Sequence, residues 1–170
     1  MDGSTFVGGG GSAEIMPDQQ DGSGSKISIG SYTRSGGSFS FNIVSTDHDG
    51  QWAGIPTKSE YRSFNFDGKA AFGKSKLKGL AIFGLGFSSV KVINGSTDGF
   101  NVANAKFKGM DFRLGAGLSF TFTDNLILEF NAVKRIGDYN RVDGIVSGDV
   151  SDVDGEGVTT SIELIFVFDD

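Results

Sequence analysis

The chain has no cysteine, only two prolines and a single histidine in 170 residues. Without cysteine there are no disulfides and no thiolate metal sites. With one histidine, His48, a catalytic triad of the usual kind or a zinc site has no partner set. Flanked by Asp47 and Asp49, it reads as a solvated loop residue. Basic residues are also scarce, 15 against 21 acidic, for a formal charge of −6. Nucleic-acid binding needs clustered Lys and Arg, so that class is set aside. No apolar run approaches the roughly 18 residues of a membrane-spanning helix. Alternating strands of a transmembrane barrel are not excluded by this, because they average out in a mean hydropathy of −0.10. The opening Met1-Asp2-Gly3-Ser4 lacks the basic start and apolar core of a secretion signal. An exported protein would therefore be represented here in its mature form.

What the chain does have is glycine and phenylalanine, 27 and 16 residues. Many glycines and aromatics with little proline favour strands over helices. The length suits a single domain, residues 1–170. The stretch Met110–Phe122 shows the pattern best. Met110, Phe112, Leu114, Ala116, Leu118, Phe120 and Phe122 form one wholly apolar face, and Asp111, Arg113, Gly115, Gly117, Ser119 and Thr121 form the other. A soluble sheet buries the apolar face, whereas a membrane barrel turns it outward.

The same period of two predicts seven further strands. They are Thr5–Met16, Lys26–Arg34, Ser38–Ser45, Tyr61–Phe72, Leu77–Val92, Leu126–Ile136 and Gly157–Phe168, with the long central strand running from about Ala105 to Phe122. The glycine run Gly8–Gly11 reads as strand where another backbone approaches closely. Connections alternate between tight turns (Ser35–Gly37, Gly73–Lys76, Thr123–Asn125) and longer polar stretches, among them Thr46–Lys58 and the acidic Gly137–Glu156. In an up-and-down barrel this puts every tight turn at one rim and every long loop at the other, the layout of outer-membrane barrels. Asp67, Lys69, Asp111, Arg113, Glu129, Arg135 and Glu163 all fall on the polar face in mid-strand. Inside so narrow a barrel they must pair, since lone buried charges are costly.

With these alternating strands and the C-terminal strand SIELIFVF, the sequence resembles the small eight-stranded outer-membrane barrels of Gram-negative bacteria: the OmpX-like and opacity-type proteins and the membrane domain of OmpA. The resemblance implies an all-β, eight-stranded antiparallel up-and-down transmembrane β-barrel in the bacterial outer membrane. It further implies that Ile162, Leu164, Phe166 and the terminal aromatic Phe168 form the signal read by the barrel-assembly machinery. Asp169 and Asp170 depart from that pattern, which usually ends on the aromatic.

Three functions are compatible with this. The first is a structural or surface-interaction protein without enzymatic activity or cofactor, a monomer embedded in outer-membrane lipid. Trp52, Phe100, Tyr139 and Ile145, apolar residues in polar loops, would then meet an extracellular partner. The second is a small passive channel for ions or small apolar solutes. The third is a soluble β-barrel holding an apolar ligand. For metals, only Asp149, Asp152, Asp154 and Glu156 offer a weak set of hard oxygen ligands for Ca²⁺, without the spacing of an EF-hand.

Overall fold

The computed structural model describes residues 4–15, 22–33, 37–52, 55–73, 75–94, 96–97, 100–101, 106–143, 153–154 and 156–168. Eight long strands make a closed antiparallel barrel: β1 (Thr5–Ile15), β2 (Gly22–Tyr32), β3 (Gly37–Trp52), β4 (Ile55–Phe72), β5 (Leu77–Asn94), β6 (Lys106–Thr123), β7 (Leu126–Asp143) and β8 (Gly157–Phe168). Each pairs with its neighbours in sequence, and β8 returns to β1 with Thr5 opposite Phe168 and Ile15 opposite Val158. Among the described residues the barrel sheet has no open edge, which matters in lipid because nothing there satisfies an unpaired backbone group. Two short additions lie at the long-loop end. Ser96–Thr97 pairs with Phe100–Asn101, and Val153–Asp154 pairs with Tyr139 and Asp138 of β7.

Alternation sets the two faces of every strand. Burial along β8 switches at each residue, with Thr159, Ser161, Glu163, Ile165 and Val167 inside and Val158, Ile162, Leu164, Phe166 and Phe168 outside. On β6, Phe112, Leu114, Leu118, Phe120 and Phe122 are exposed while Asp111 and Arg113 are buried. The outer wall therefore carries the large apolar side chains, continued by Phe39 and Phe41 of β3, Phe64 and Phe66 of β4, and Phe83, Leu85 and Phe87 of β5. Phe39 stacks near Phe66 and Phe41 near Phe64, at 6.2 and 6.3 Å between ring centroids. From Met110 to Phe122 the wall spans about 40 Å of strand, or about 30 Å vertically at a tilt near 40°. That is the thickness of a bilayer's hydrocarbon layer. A soluble barrel would place these residues inside, so the soluble ligand carrier is set aside.

The strands run further toward the long-loop rim than the sequence pattern predicts. Thr46–Lys58, expected as a loop, is a hairpin in which β3 and β4 stay paired from Asp47 opposite Glu60 to Trp52 opposite Ile55. Likewise β7 continues to Asp143, seven residues beyond the expected end at Ile136, facing β6 as far as Lys106. In the outer parts of β3 and β7, around His48 and Tyr139, polar residues occupy most positions on both faces, so the alternation that marks a strand in the sequence disappears while the backbone ladder continues.

The short-turn rim is locked by its own contacts. Asn125 Nδ2 donates to the Val167 carbonyl at 3.0 Å, and Val167 N–H donates back to the Asn125 carbonyl at 3.0 Å. Gly73 closes the β4–β5 turn with φ of +116°, a conformation that side-chain-bearing residues rarely adopt.

Candidate functional site

The lumen is where the sequence's charges converge. Asp67, Lys69, Asp111, Arg113, Glu129, Arg135 and Glu163 all face inward and are at most 4% exposed. Lys26 joins them from β2. Sequence reasoning passes over it, although it shares the polar parity of Ser28 and Tyr32. Among the described residues the buried lumen thus holds four cations (Lys26, Lys69, Arg113, Arg135) and four carboxylates (Asp67, Asp111, Glu129, Glu163). The formal sum is zero.

These charges sit in three connected groups. Toward the short turns, Lys69 Nζ donates to Glu129 Oε2 at 2.5 Å, and Asn131 Nδ2 donates to the same oxygen at 3.3 Å. Lys26 Nζ donates to Glu163 Oε2 at 2.9 Å across the β1 strand between them. Gly8 makes this crossing possible, because a Cβ there would lie 2.7 Å from Ser28 Oγ and 2.9 Å from Glu163 Oε1. At mid-height, Arg113 Nε donates to Asp67 Oδ1 and Asn42 Nδ2 donates to Asp67 Oδ2, both at 2.9 Å. Asp111 stands 3.9 Å from Arg113. Above them Arg135 lies 4.2 Å over the Tyr61 ring and donates from Nη1 to the Tyr139 hydroxyl at 3.3 Å. Such cation–π and charge-assisted contacts gain strength where water is excluded.

Apolar side chains line the lumen toward its ends. Phe6, Ile127, Ile165 and Val167 cluster at the short-turn end, with Tyr32 packed against Phe6 at 5.0 Å. Leu80, Ile82 and Val133 form a second cluster. Val44, Tyr61, Val90, Val92 and Phe107 are buried toward the long-loop end. A cavity of about 320 Å³ opens between the tight turns, lined by Tyr32, Ser38, Lys78 and Ser119, and it reaches the Lys69–Glu129 pair.

Two expected loop residues prove to be interior. His48, read as solvated, is 2% exposed on the inner face of β3, with its Nε2 3.0 Å from Thr46 Oγ1. Its ring covers Gly22, where any side chain would collide with it. Tyr139, expected to meet outside partners, is 5% exposed beneath the rim, where it accepts the Arg135 hydrogen bond. The reason is the same for both. Strand pairing continues past the belt, so parity turns them inward. Trp52 and Phe100 lie on strands, but their own side chains are outside what the structure describes, and Ile145 lies outside the described residues altogether. Of the calcium set, Asp149 and Asp152 are outside the described residues, Asp154 is described only in its short strand, and Glu156 pairs with Lys134 at 3.4 Å. Among the described residues no group of acidic or histidine side chains is arranged to hold a metal.

The long-loop rim carries exposed charge. Arg62 pairs with Glu60, Lys58 approaches Asp49 at 3.8 Å, and Lys108 pairs with Asp143. The Lys108 hydrogen bond, helped by the charges of Lys108, Arg141 and Lys106, holds the Asp143 carboxyl below its usual range.

A closed eight-stranded barrel with an apolar belt outside and paired charges within is a transmembrane β-barrel, and its fold is that of the small bacterial outer-membrane barrels. No family model and no curated protein sequence matches the chain. Among solved structures it is similar to Neisserial surface protein A, with 14% identity over 96% of this chain and 97% of that one and a TM-score of 0.68. A major outer membrane protein from Thermus thermophilus gives 9% identity, 96% and 99% coverage and a TM-score of 0.63. Ail, the attachment invasion locus protein of Yersinia pestis, gives 11%, 99% and 100%, and 0.58. Ail has also been crystallised with the heparin analogue sucrose octasulfate.

Proposed function

We propose that the protein is a monomeric, non-enzymatic resident of the bacterial outer membrane, a sealed anchor that presents its long-loop end to partners outside the cell. The observation that carries this reading is the lumen. Among the described residues its cations and carboxylates balance, and the ion pairs Lys69–Glu129, Lys26–Glu163 and Arg113–Asp67 bridge strands between apolar clusters. A conducting pore needs hydrated space, whereas small barrels of this strand number are filled by their own side chains. The short-turn cavity of about 320 Å³ favours a second reading, a narrow solute path, but Lys69 and Glu129 form its inner wall.

Delivery to the membrane follows from the same scheme. Ile162, Leu164, Phe166 and Phe168 would act as the signal for the assembly machinery, on the outer face of the strand that closes the barrel against β1. The sucrose octasulfate complex of Ail is a precedent in this fold for a polar ligand, and the charged long-loop rim is the surface we assign to such ligands here.

Two measurements test the proposal. Unboiled protein in detergent gels should migrate differently from boiled protein, and identical mobility would remove the membrane reading. In planar bilayers the inserted protein should give no steady open level above baseline. A persistent conductance step altered by Arg113→Ala would overturn the sealed anchor in favour of the channel.

A further inference from the structure

Overall the chain is acidic, yet one sector of its outer wall is basic. Beyond the belt residues Phe64, Phe87, Met110 and Ile136, the outward positions of β4 to β7 form two cross-strand rows. The nearer row is Arg62 opposite Ser89, Ser89 opposite Lys108, and Lys108 opposite Arg141. The farther row is Glu60, Lys91, Lys106 and Asp143, each opposite the next. A register shift between Lys108 and Gly109 turns Arg141 onto this face. Five cations thus share a patch with three carboxylates, Glu60, Asp143 and Asp138 at the border of β7. Arg62 and Lys108 are engaged by Glu60 and Asp143. Among the described residues Lys91, Lys106 and Arg141 have no ion-pair partner.

Like charges directly opposite each other destabilise a sheet. This patch contains two such pairs, Lys91 with Lys106 and Lys108 with Arg141. Asp143, on which Lys106, Lys108 and Arg141 all act, and Glu60 opposite Lys91 offset part of this repulsion, and a counter-anion from outside the chain would relieve the rest. Position identifies its source. The nearer row begins two residues beyond Phe64 and Phe87, about 7 Å along each strand, where the hydrocarbon layer gives way to headgroups. A soluble anion has no reason to favour that depth, but a lipid phosphate lies there already. The outward cations at the borders of this patch differ, since Lys58 of β4 and Lys134 of β7 each face an acid of this chain.

We propose that Lys91, Lys106, Lys108 and Arg141, flanked by Arg62, bind the phosphate-bearing headgroup of a lipid in the leaflet at the long-loop side. The proposal rests on the membrane reading above. Clustered Lys and Arg at a bilayer surface each strengthen the attraction to anionic lipid about fivefold. The bound lipid packs its chains along the adjoining Phe87 and Met110 wall.

Native mass spectrometry of the full-length protein, folded in neutral detergent, tests this with three probes: bisphosphorylated lipid A, phosphatidylcholine and inorganic triphosphate. The wild type should bind lipid A in preference to phosphatidylcholine, and that preference should weaken as ionic strength rises. Lys91→Gln/Lys106→Gln/Arg141→Gln should weaken lipid A binding on the order of 100-fold while keeping the folded gel mobility. Lys58→Gln/Lys134→Gln, which removes two bordering cations that already face carboxylates of this chain, should leave it nearly unchanged. Equal binding of lipid A by wild type and triple variant would overturn the proposal, as would triphosphate binding as tightly as the lipid. If instead the wild type shows no heat-dependent gel shift, the membrane reading itself has failed.

Discussion

Lys69 and Glu129 meet at 2.5 Å where each is almost fully buried, so neither keeps its charge cheaply without the other. Removing one member of a buried pair leaves an uncompensated charge and typically costs about 3–5 kcal/mol, whereas replacing both by apolar groups of similar volume is often near neutral. Lys69→Met should therefore lower stability in urea titrations on lipid vesicles by about that amount. Lys69→Met/Glu129→Leu should recover most of the loss, and equal destabilisation by both variants would show that the pair is not coupled. Gly22 makes a different demand, because its inner face is occupied by the His48 ring. Gly22→Val should cost about 1–3 kcal/mol by overpacking, and His48→Ala should rescue much of it in the same assay. The parity of Asp111, Arg113 and Glu163 is readable because apolar neighbours bracket each of them. His48 and Tyr139 are not readable, because polar residues surround them on both sides. No sequence period then distinguishes a strand from a loop.

Along an element, what is legible depends on the solvent outside it. The belt half of β6 shows its period in every residue. The outer half of β3, from Thr46 to Trp52, shows it only through pairing with β4. A substitution at Phe112, 67% exposed on the belt, separates lipid contact from core packing. Phe112→Arg should destabilise by about 1–2 kcal/mol, less than at the bilayer midplane because Phe112 lies toward the outer end of the belt. Phe112→Leu should cost little. A tolerated arginine would mean that this face does not meet hydrocarbon. The far ends of β6 and β7 are held by a charge contact instead, Lys108 with Asp143. The Asp143 carboxyl titrates lower in the folded barrel than in the unfolded chain. Its stabilising contribution is therefore present above the ordinary carboxylate range and disappears as pH falls through the lowered one. Amide exchange at Lys106–Lys108 and Arg141–Asp143 should accelerate, relative to mid-barrel amides, as acidification protonates it. Exchange that keeps pace with the mid-barrel amides would show that the backbone ladder alone holds these ends.

In the whole molecule, closure and display are physically separate. Every barrel strand has both partners, and β8 returns to β1 over eleven residue pairs. Among the described residues the lumen's charge balance is reached by side chains of β2, β4, β6, β7 and β8. Both features are complete without the segment 144–152. Loop length affects closure entropy only weakly, so replacing 144–152 with a short Gly-Ser turn should leave the unboiled gel mobility unchanged and the unfolding free energy from urea titration within about 0.5 kcal/mol of wild type. A barrel that no longer folds would assign this segment to the scaffold rather than to the surface it presents. Equal stability with altered binding to whole cells or matrix would place recognition in the loop. Lipid A binding should survive the replacement as well, because Lys91, Lys106, Lys108 and Arg141 all sit on paired strands outside the excised segment. The two contacts proposed for this protein, one with its own leaflet and one beyond it, would then be separable in a single variant.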